Sequence, residues 1–289
     1  MSEPQTKGTL IIIGGAEDKK ADKTILKAFI ASTKKKAPNI ALITTATNSP
    51  GKAAAEYKQI LSQLGADNIH PINITCRDDT NDSENIKVIR DADGIFFVGG
   101  DQLRISSILG GTDTHKAVLE SYNSGKVIAG TSAGASMMSE IMVVEGNDEE
   151  APRKCTLKMA PGMGLLEGVI IDQHFNQRGR IGRLLAAVAQ NPNILGIGID
   201  EDTAIIVHDD LTFDVTGSGV ATVIDGRAIR YTNISEQYPN EPLAITNVML
   251  HVLPSGYGFN IPGRQEIINS EDHENSVEIV GKQNKEEKK

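Results

Sequence analysis

Tryptophan is absent from this sequence of 289 residues, and the remaining aromatics are six phenylalanines and five tyrosines. A chain so poor in flat side chains has few platforms on which bases or sugar rings could stack. Positive charge is not in excess either: 29 lysines and arginines face 38 aspartates and glutamates, a net charge of −9 with histidines neutral. That balance argues against a protein that coats a polyanion, so no nucleic-acid partner is expected. Cysteine is scarce. Cys76 and Cys155 stand far apart, without a CxxC or a histidine-rich neighbour, which speaks against a disulfide framework and against a zinc cluster. Long hydrophobic runs are also missing. Met1 to Lys7 is short and polar, and Leu10 to Ile13 is broken by Gly14 and Gly15, a pattern of neither signal peptide nor anchor. No stretch approaches the roughly 18 apolar residues of a membrane span. The expectation is a cytoplasmic protein with no membrane partner and no metal.

What is present is a rhythm. Short apolar runs, Thr9 to Ile13, Ile40 to Ile43, Ile95 to Val98 and Val127 to Ala129, read as strands buried on both faces. Helical patterns lie between them: Asp22 to Lys36, Lys52 to Leu64 stopped by Gly65, and Asp113 to Ser124 stopped by Gly125. This alternation predicts an α/β fold, a mostly parallel sheet flanked by helices, with ligands collecting beyond the carboxyl ends of the strands. The polar segment from Val143 to Gly164, with Asp148, Glu149 and Glu150, reads as a long excursion over the surface. After Asp200 the pattern turns to short strands, including Thr203 to Val207, Thr212 to Val215 and Val220 to Ile224, with Asp225-Gly226 as a hairpin signal. Residues 1–268 are expected to form one α/β domain, and the charge-dense 269–289 a flexible tail.

The strongest chemical signal is Gly130-Thr131-Ser132-Ala133-Gly134, a GxSxG directly after an apolar strand and before the helix-compatible run Ala135 to Ile141. So tight a reversal needs small neighbours and presents Ser132 into a cleft. The amide of Ala133 is then placed to stabilise an oxyanion. Phe96 to Leu103 repeats the strand-to-glycine pattern, so Gly99 or Gly100 is a candidate second amide, with Asp101 and Gln102 lining the site.

A serine hydroxyl needs a neighbouring base. Of six histidines, His174 closes the apolar strand Val169 to Ile171 and belongs at the same sheet edge as Ser132. The orienting acid is sought in Asp200, Glu201 and Asp202. In extended structure Glu201 faces away from the other two, which distinguishes it without choosing among the three. Arg178, Arg180 and Arg183 follow His174 at a helix start, where they oppose the macrodipole unless they face an anion. Asp172, on the face of His174, supplies the opposite sign. A site of both signs suits a zwitterionic substrate.

The motifs VGGDQ, GTSAGA, DQHFNQRGRIGRL and GIGIDEDTA, in that order, resemble the cyanophycinases, over about Gly8 to Gly263. These belong to a serine peptidase family, related to aspartyl dipeptidases, on a fold similar to class I glutamine amidotransferases. The resemblance implies a homodimer, without cofactor, that cleaves cyanophycin from the chain end. Cyanophycin is a polyaspartate with an arginine on each side-chain carboxyl, and the products would be β-aspartyl-arginine dipeptides. By resemblance, Ser132 is the nucleophile, His174 the base and Glu201 its orienting acid, while Asp101, Gln102, Asp172, Gln173, Arg178, Arg180 and Arg183 bind substrate. The alternatives are a dipeptidase for small aspartyl peptides and a non-catalytic binding module on the same sheet.

Overall fold

A computed structural model describes residues 7–268, except 155, 237 and 239. The expectation for the tail, 269–289, lies outside the described residues, as does Cys155.

The four predicted apolar runs form β1 (Leu10–Ile13), β2 (Ile40–Ile43), β4 (Gly94–Phe97) and β5 (Val127–Thr131), and one further strand outside those runs, β3 (Ile69–Ile72), joins them. These five are parallel, in the order β1-β5-β4-β2-β3. All but β3 are buried along their whole length. Their two faces carry different covers. Helices α1 (Thr24–Ser32) and α2 (Pro50–Gln63) pack Phe29, Ile30, Tyr57 and Ile60 on one face. On the other, α3 (Ser83–Asp91), α4 (Gln102–Leu109) and α5 (Asp113–Asn123) contribute Ile89, Ile105 and Val118.

The chain beyond Ser132 departs from the expected course. The predicted helix is one turn only, α6 (Ala133–Ser136), and the supposed surface excursion contains a ribbon of β6 (Ile141–Glu145) and β7 (Lys158–Pro161). Met142, Val143 and Met163 in this region are buried. Its glycines and acids thus mask a packed element. A second sheet follows, with β8 (Val169–Gln173) and β9 (Leu195–Ile199) parallel, and α7 (Ile181–Gln190) covering it. The chain then returns to the first sheet through β10 (Thr203–Val207) and β11 (Thr212–Gly217), both antiparallel. It rejoins the second through β12 (Val220–Asp225).

Asp225-Gly226 does not close a hairpin with the next strand, β13 (Tyr231–Thr232), which pairs with β14 (Ile245–Thr246). The antiparallel neighbours of β12 are β9 and the later β15 (Met249–Pro254). The Asp225 carboxylate instead accepts from Arg227 and Arg264. Finally β16 (Tyr257–Asn260) and β17 (Gln265–Ile268) complete a first sheet of nine strands, parallel on one side and antiparallel on the other.

Candidate active site

Four chain reversals meet where the two sheets adjoin: the ends of β1, β5 and β8, and the turn from β9 into β10. Each contains a non-glycine residue in the left-handed region, namely Ala16, Ser132, His174 and Asp202, at φ values of 49°, 54°, 48° and 47°. Such conformations cost on the order of 1–3 kcal/mol each and concentrate at functional sites. The backbone interlocks there. His174 N–H donates to the Gly14 carbonyl at 2.8 Å, Asp202 N–H to Gly15 at 2.8 Å, and Ser132 N–H to Ile13 at 3.0 Å.

The GxSxG glycines are required by contact. A Cβ on Gly130 would run into the Gly134 carbonyl, and one on Gly134 would sit 2.6 Å from the Phe97 carbonyl oxygen. Ser132, at φ 54° and ψ −109°, is therefore turned out of the strand as the chain enters α6. Its Oγ lies 2.9 Å from His174 Nε2, and His174 Nδ1 lies 2.6 Å from Glu201 Oε1. With the proton on Nδ1, the imidazole donates to the carboxylate and accepts from the serine hydroxyl. Gln173 Oε1, at 3.4 Å, is a second and more distant acceptor for that hydroxyl.

The histidine side chain is 12% exposed and the glutamate 37%. Burial pushes the His174 pKa below the ordinary histidine value; Arg178 and Arg180 add to the depression, and Glu201 opposes it. The imidazole is consequently neutral at neutral pH and able to accept a proton. The arrangement is that of an activated hydroxyl with an oriented base.

The other two acids of the 200–202 run are engaged elsewhere. Asp200 accepts from the amides of Asn176 at 3.0 Å and Val220 at 3.2 Å, and Asp202 from Asp18 N–H and Ser218 Oγ, both at 2.8 Å. The remaining described histidines are remote in role: His70 is exposed on β3, His115 meets the Met163 carbonyl, His208 Asp214 and His251 Glu266. Of the two candidate glycines, Gly99 borders the serine, since a Cβ on it would lie 3.3 Å from Ser132 Cβ. Gly100 is pressed against the Ala46 carbonyl. Ala133, beside the serine, is fully buried.

The predicted binding residues divide. Arg178 is exposed near the imidazole, whereas Asp101 caps α4 by accepting from Leu103 and Arg104 N–H. Gln102 donates to the Val143 carbonyl at 3.0 Å and so ties β6 to the site. Asp172, Arg180 and Arg183 lie beneath the surface, with 1%, 5% and 7% exposure. Asp172 accepts a bidentate pair from Arg183, Asp148 takes bonds from both arginines, and Arg180 also donates to the Gln173 carbonyl at 2.6 Å. The anion that these arginines require is supplied within the chain, which places them as a brace under His174.

Four residues at the site had no role in the sequence reading. Gly15, at φ 104°, lets the imidazole lie against the backbone, because a Cβ there would overlap the His174 ring. The strand followed by paired glycines was the available signal. Gln177 accepts from Glu201 N–H at 3.0 Å and fixes that turn. Glu17 is buried, with its carboxylate accepting from Thr131 Oγ1 at 2.6 Å and from the Tyr57 hydroxyl. Tyr57 keeps its proton, because burial first and then Glu17 push its pKa well above the ordinary value.

Among the described residues no group of three or more His, Cys, Asp or Glu could hold a metal, and no helix is long and apolar enough to cross a membrane. Comparison with known proteins finds relatives along most of the chain. The chain is 36% identical over 263 residues to the cyanophycinase of Trichormus variabilis, covering 90% of this chain and 88% of that one. It is 36% identical over 255 residues to the cyanophycinase of Geminocystis herdmanii, covering 88% and 94%. In fold it is similar to a peptidase from an acI-B1 actinobacterium, at a TM-score of 0.60 and 23% identity, over 86% of this chain and 99% of that one. The model for peptidase family S51 matches residues 10–214. The chain belongs to peptidase family S51.

Proposed function

We propose that this protein is a serine-type exopeptidase that hydrolyses cyanophycin to β-aspartyl-arginine dipeptides, through Ser132, His174 and Glu201. The observation that carries the reading is the line of two hydrogen bonds from Ser132 Oγ to His174 and on to Glu201. The chain's likeness to cyanophycinases over about nine-tenths of its length supplies the substrate. We read the protein as a cytoplasmic homodimer, which is what the resemblance of its motifs to the cyanophycinases implies.

In the first step Ser132 Oγ attacks a backbone carbonyl of the polymer as His174 Nε2 takes the hydroxyl proton. The resulting oxyanion is held by the amides of Ala133 and of Gly99 or Gly100, and each such donor contributes about 100-fold to 1000-fold. His174 then protonates the departing amine and the acyl-enzyme forms. Water, deprotonated by the same imidazole, releases the acyl group. Glu201 holds the ring's tautomer throughout and stabilises its charged form.

Two consequences concern the imidazole. In Gly15→Ala the added methyl displaces the ring, and kcat falls on the order of 100-fold, the usual effect of about 1 Å of misplacement; steady-state kinetics on cyanophycin measure it. Arg178 lowers the His174 pKa. Removing its charge in Arg178→Gln raises that pKa, so the base is lost to protonation at a higher pH. The acid limb of the kcat/KM profile moves upward in pH, and an unmoved limb would remove Arg178 from the electrostatics of the base.

The experiment for the reaction itself is incubation with cyanophycin and mass spectrometry of the soluble products. β-Aspartyl-arginine is the expected product. Free arginine with intact polyaspartate would put the attack on the side-chain linkage instead.

A further inference from the structure

A pocket of about 220 Å³ is lined by Ser132 and Gly99 together with Glu17, Lys19, Glu56 and Tyr57. Nothing in the mechanism above uses it, yet any substrate seated at Ser132 reaches it. Its wall already holds a cation. The Lys19 ammonium lies 3.3 Å from Glu56 Oε2, 3.9 Å from Glu17 Oε1 and 4.4 Å from the centre of the Tyr57 ring. An aromatic face flanked by carboxylates is the chemistry that attracts a positive charge.

We infer that this pocket is the subsite for a cationic side chain of the substrate, a guanidinium, and that Lys19 fills it until substrate arrives. The inference rests on Ser132 as the nucleophile.

The parts differ in how firmly they are held. Glu17 does not depend on Lys19, because its two oxygens accept the hydroxyls of Thr131 and Tyr57. The loop that carries both residues is pinned: Asp18 N–H donates to Asp202, and the Asp18 carboxylate accepts from the amides of Lys20, Ala21 and Lys23. Glu17 is thus a fixed negative charge beside the reacting serine. Lys19 is the removable member, since Glu56 is half exposed and a pair open to water holds weakly.

A guanidinium is planar, carries five donors and is less strongly hydrated than an ammonium. It can therefore take the ring face and the carboxylates while Lys19 swings into solvent. Two acids against one lysine also make the wall net negative, so a substrate carboxylate in the same place would meet Glu17 and Glu56.

The test measures KM for cyanophycin, with methylguanidinium and acetate as competing probes, in the wild type, Lys19→Met and Glu56→Gln. Calorimetric titration of methylguanidinium into Ser132→Ala follows binding without turnover. Freed of its internal cation, Lys19→Met should lower both KM and the methylguanidinium constant by on the order of threefold to thirtyfold, the range expected for a cation on an aromatic face. Glu56→Gln should raise both. A higher KM in Lys19→Met together with weaker acetate inhibition would make the pocket a carboxylate site and overturn the inference, as would constants that neither substitution moves. Full turnover by Ser132→Ala would instead defeat the nucleophile reading, while the methylguanidinium titration still reports on the pocket.

Discussion

Ser132→Ala lowers kcat on cyanophycin by about 10⁴-fold to 10⁶-fold, the range seen when a serine nucleophile acting as a unit with its base is removed. The residual rate is what the amides of Ala133 and Gly99 or Gly100 and substrate binding supply alone. Stability should hardly change, within about 0.5 kcal/mol. The strained turn is fixed by the backbone, through the Ile13 carbonyl that receives Ser132 N–H and the Ser132 carbonyl that accepts from Ala135 and Ser136. The serine hydroxyl takes no part in that framework. Its described hydrogen bonds are those to His174 and Gln173. Rate and melting temperature measured on the same preparation separate a chemical role from a structural one.

Asp172→Ala has the other large effect, and it is on stability. The substitution leaves two guanidiniums beneath the surface, Arg180 and Arg183, with only Asp148 to answer them. Breaking a buried pair from one side costs about 3–5 kcal/mol, because the remaining charge stays desolvated. The midpoint of thermal unfolding should fall by roughly 10 °C. Activity should fall with it, because Arg180 donates to the Gln173 carbonyl and so fixes the residue before the imidazole. An unchanged midpoint with a raised KM would show that Asp172 meets substrate directly.

Much of the parallel half of the sheet was legible because its strands are covered on both faces. Leu10–Ile13 and Ile40–Ile43 carry no polar residue and have no exposed side. Ser132 and His174 were legible for a related reason: each follows such a strand at its carboxyl end, so both could be assigned to one edge.

The acid was harder. Alternation along 199–203 assumes one continuous strand, whereas the chain leaves the second sheet at Ile199 and enters the first at Thr203, with Asp202 at φ 47° between them. Faces counted along that run have no meaning across the turn. What brings Glu201 to His174 is the turn itself, held by Gln177 and Gly15.

The arginines show a different limit. Their charge was visible, but the partner Asp148 lies more than thirty residues away in a polar stretch that read as surface. An internal ion pair and a substrate site share one local signature. The pocket beside Ser132 was likewise hidden, since Glu17 and Tyr57 come together only when α2 packs on the sheet, where the Tyr57 ring lies 4.8 Å from that of Phe96 on β4.

We propose that His174 makes the Ser132 hydroxyl nucleophilic. A fluorophosphonate probe tests it most directly, with peptide mapping of the adduct in the wild type, Ser132→Ala and His174→Ala. Rapid labelling of the Ser132 peptide is expected in the wild type, none in Ser132→Ala, and labelling slowed by several orders of magnitude in His174→Ala. Equal labelling rates at Ser132 in the wild type and His174→Ala, or an adduct on another serine accompanied by loss of cyanophycin hydrolysis, would contradict it.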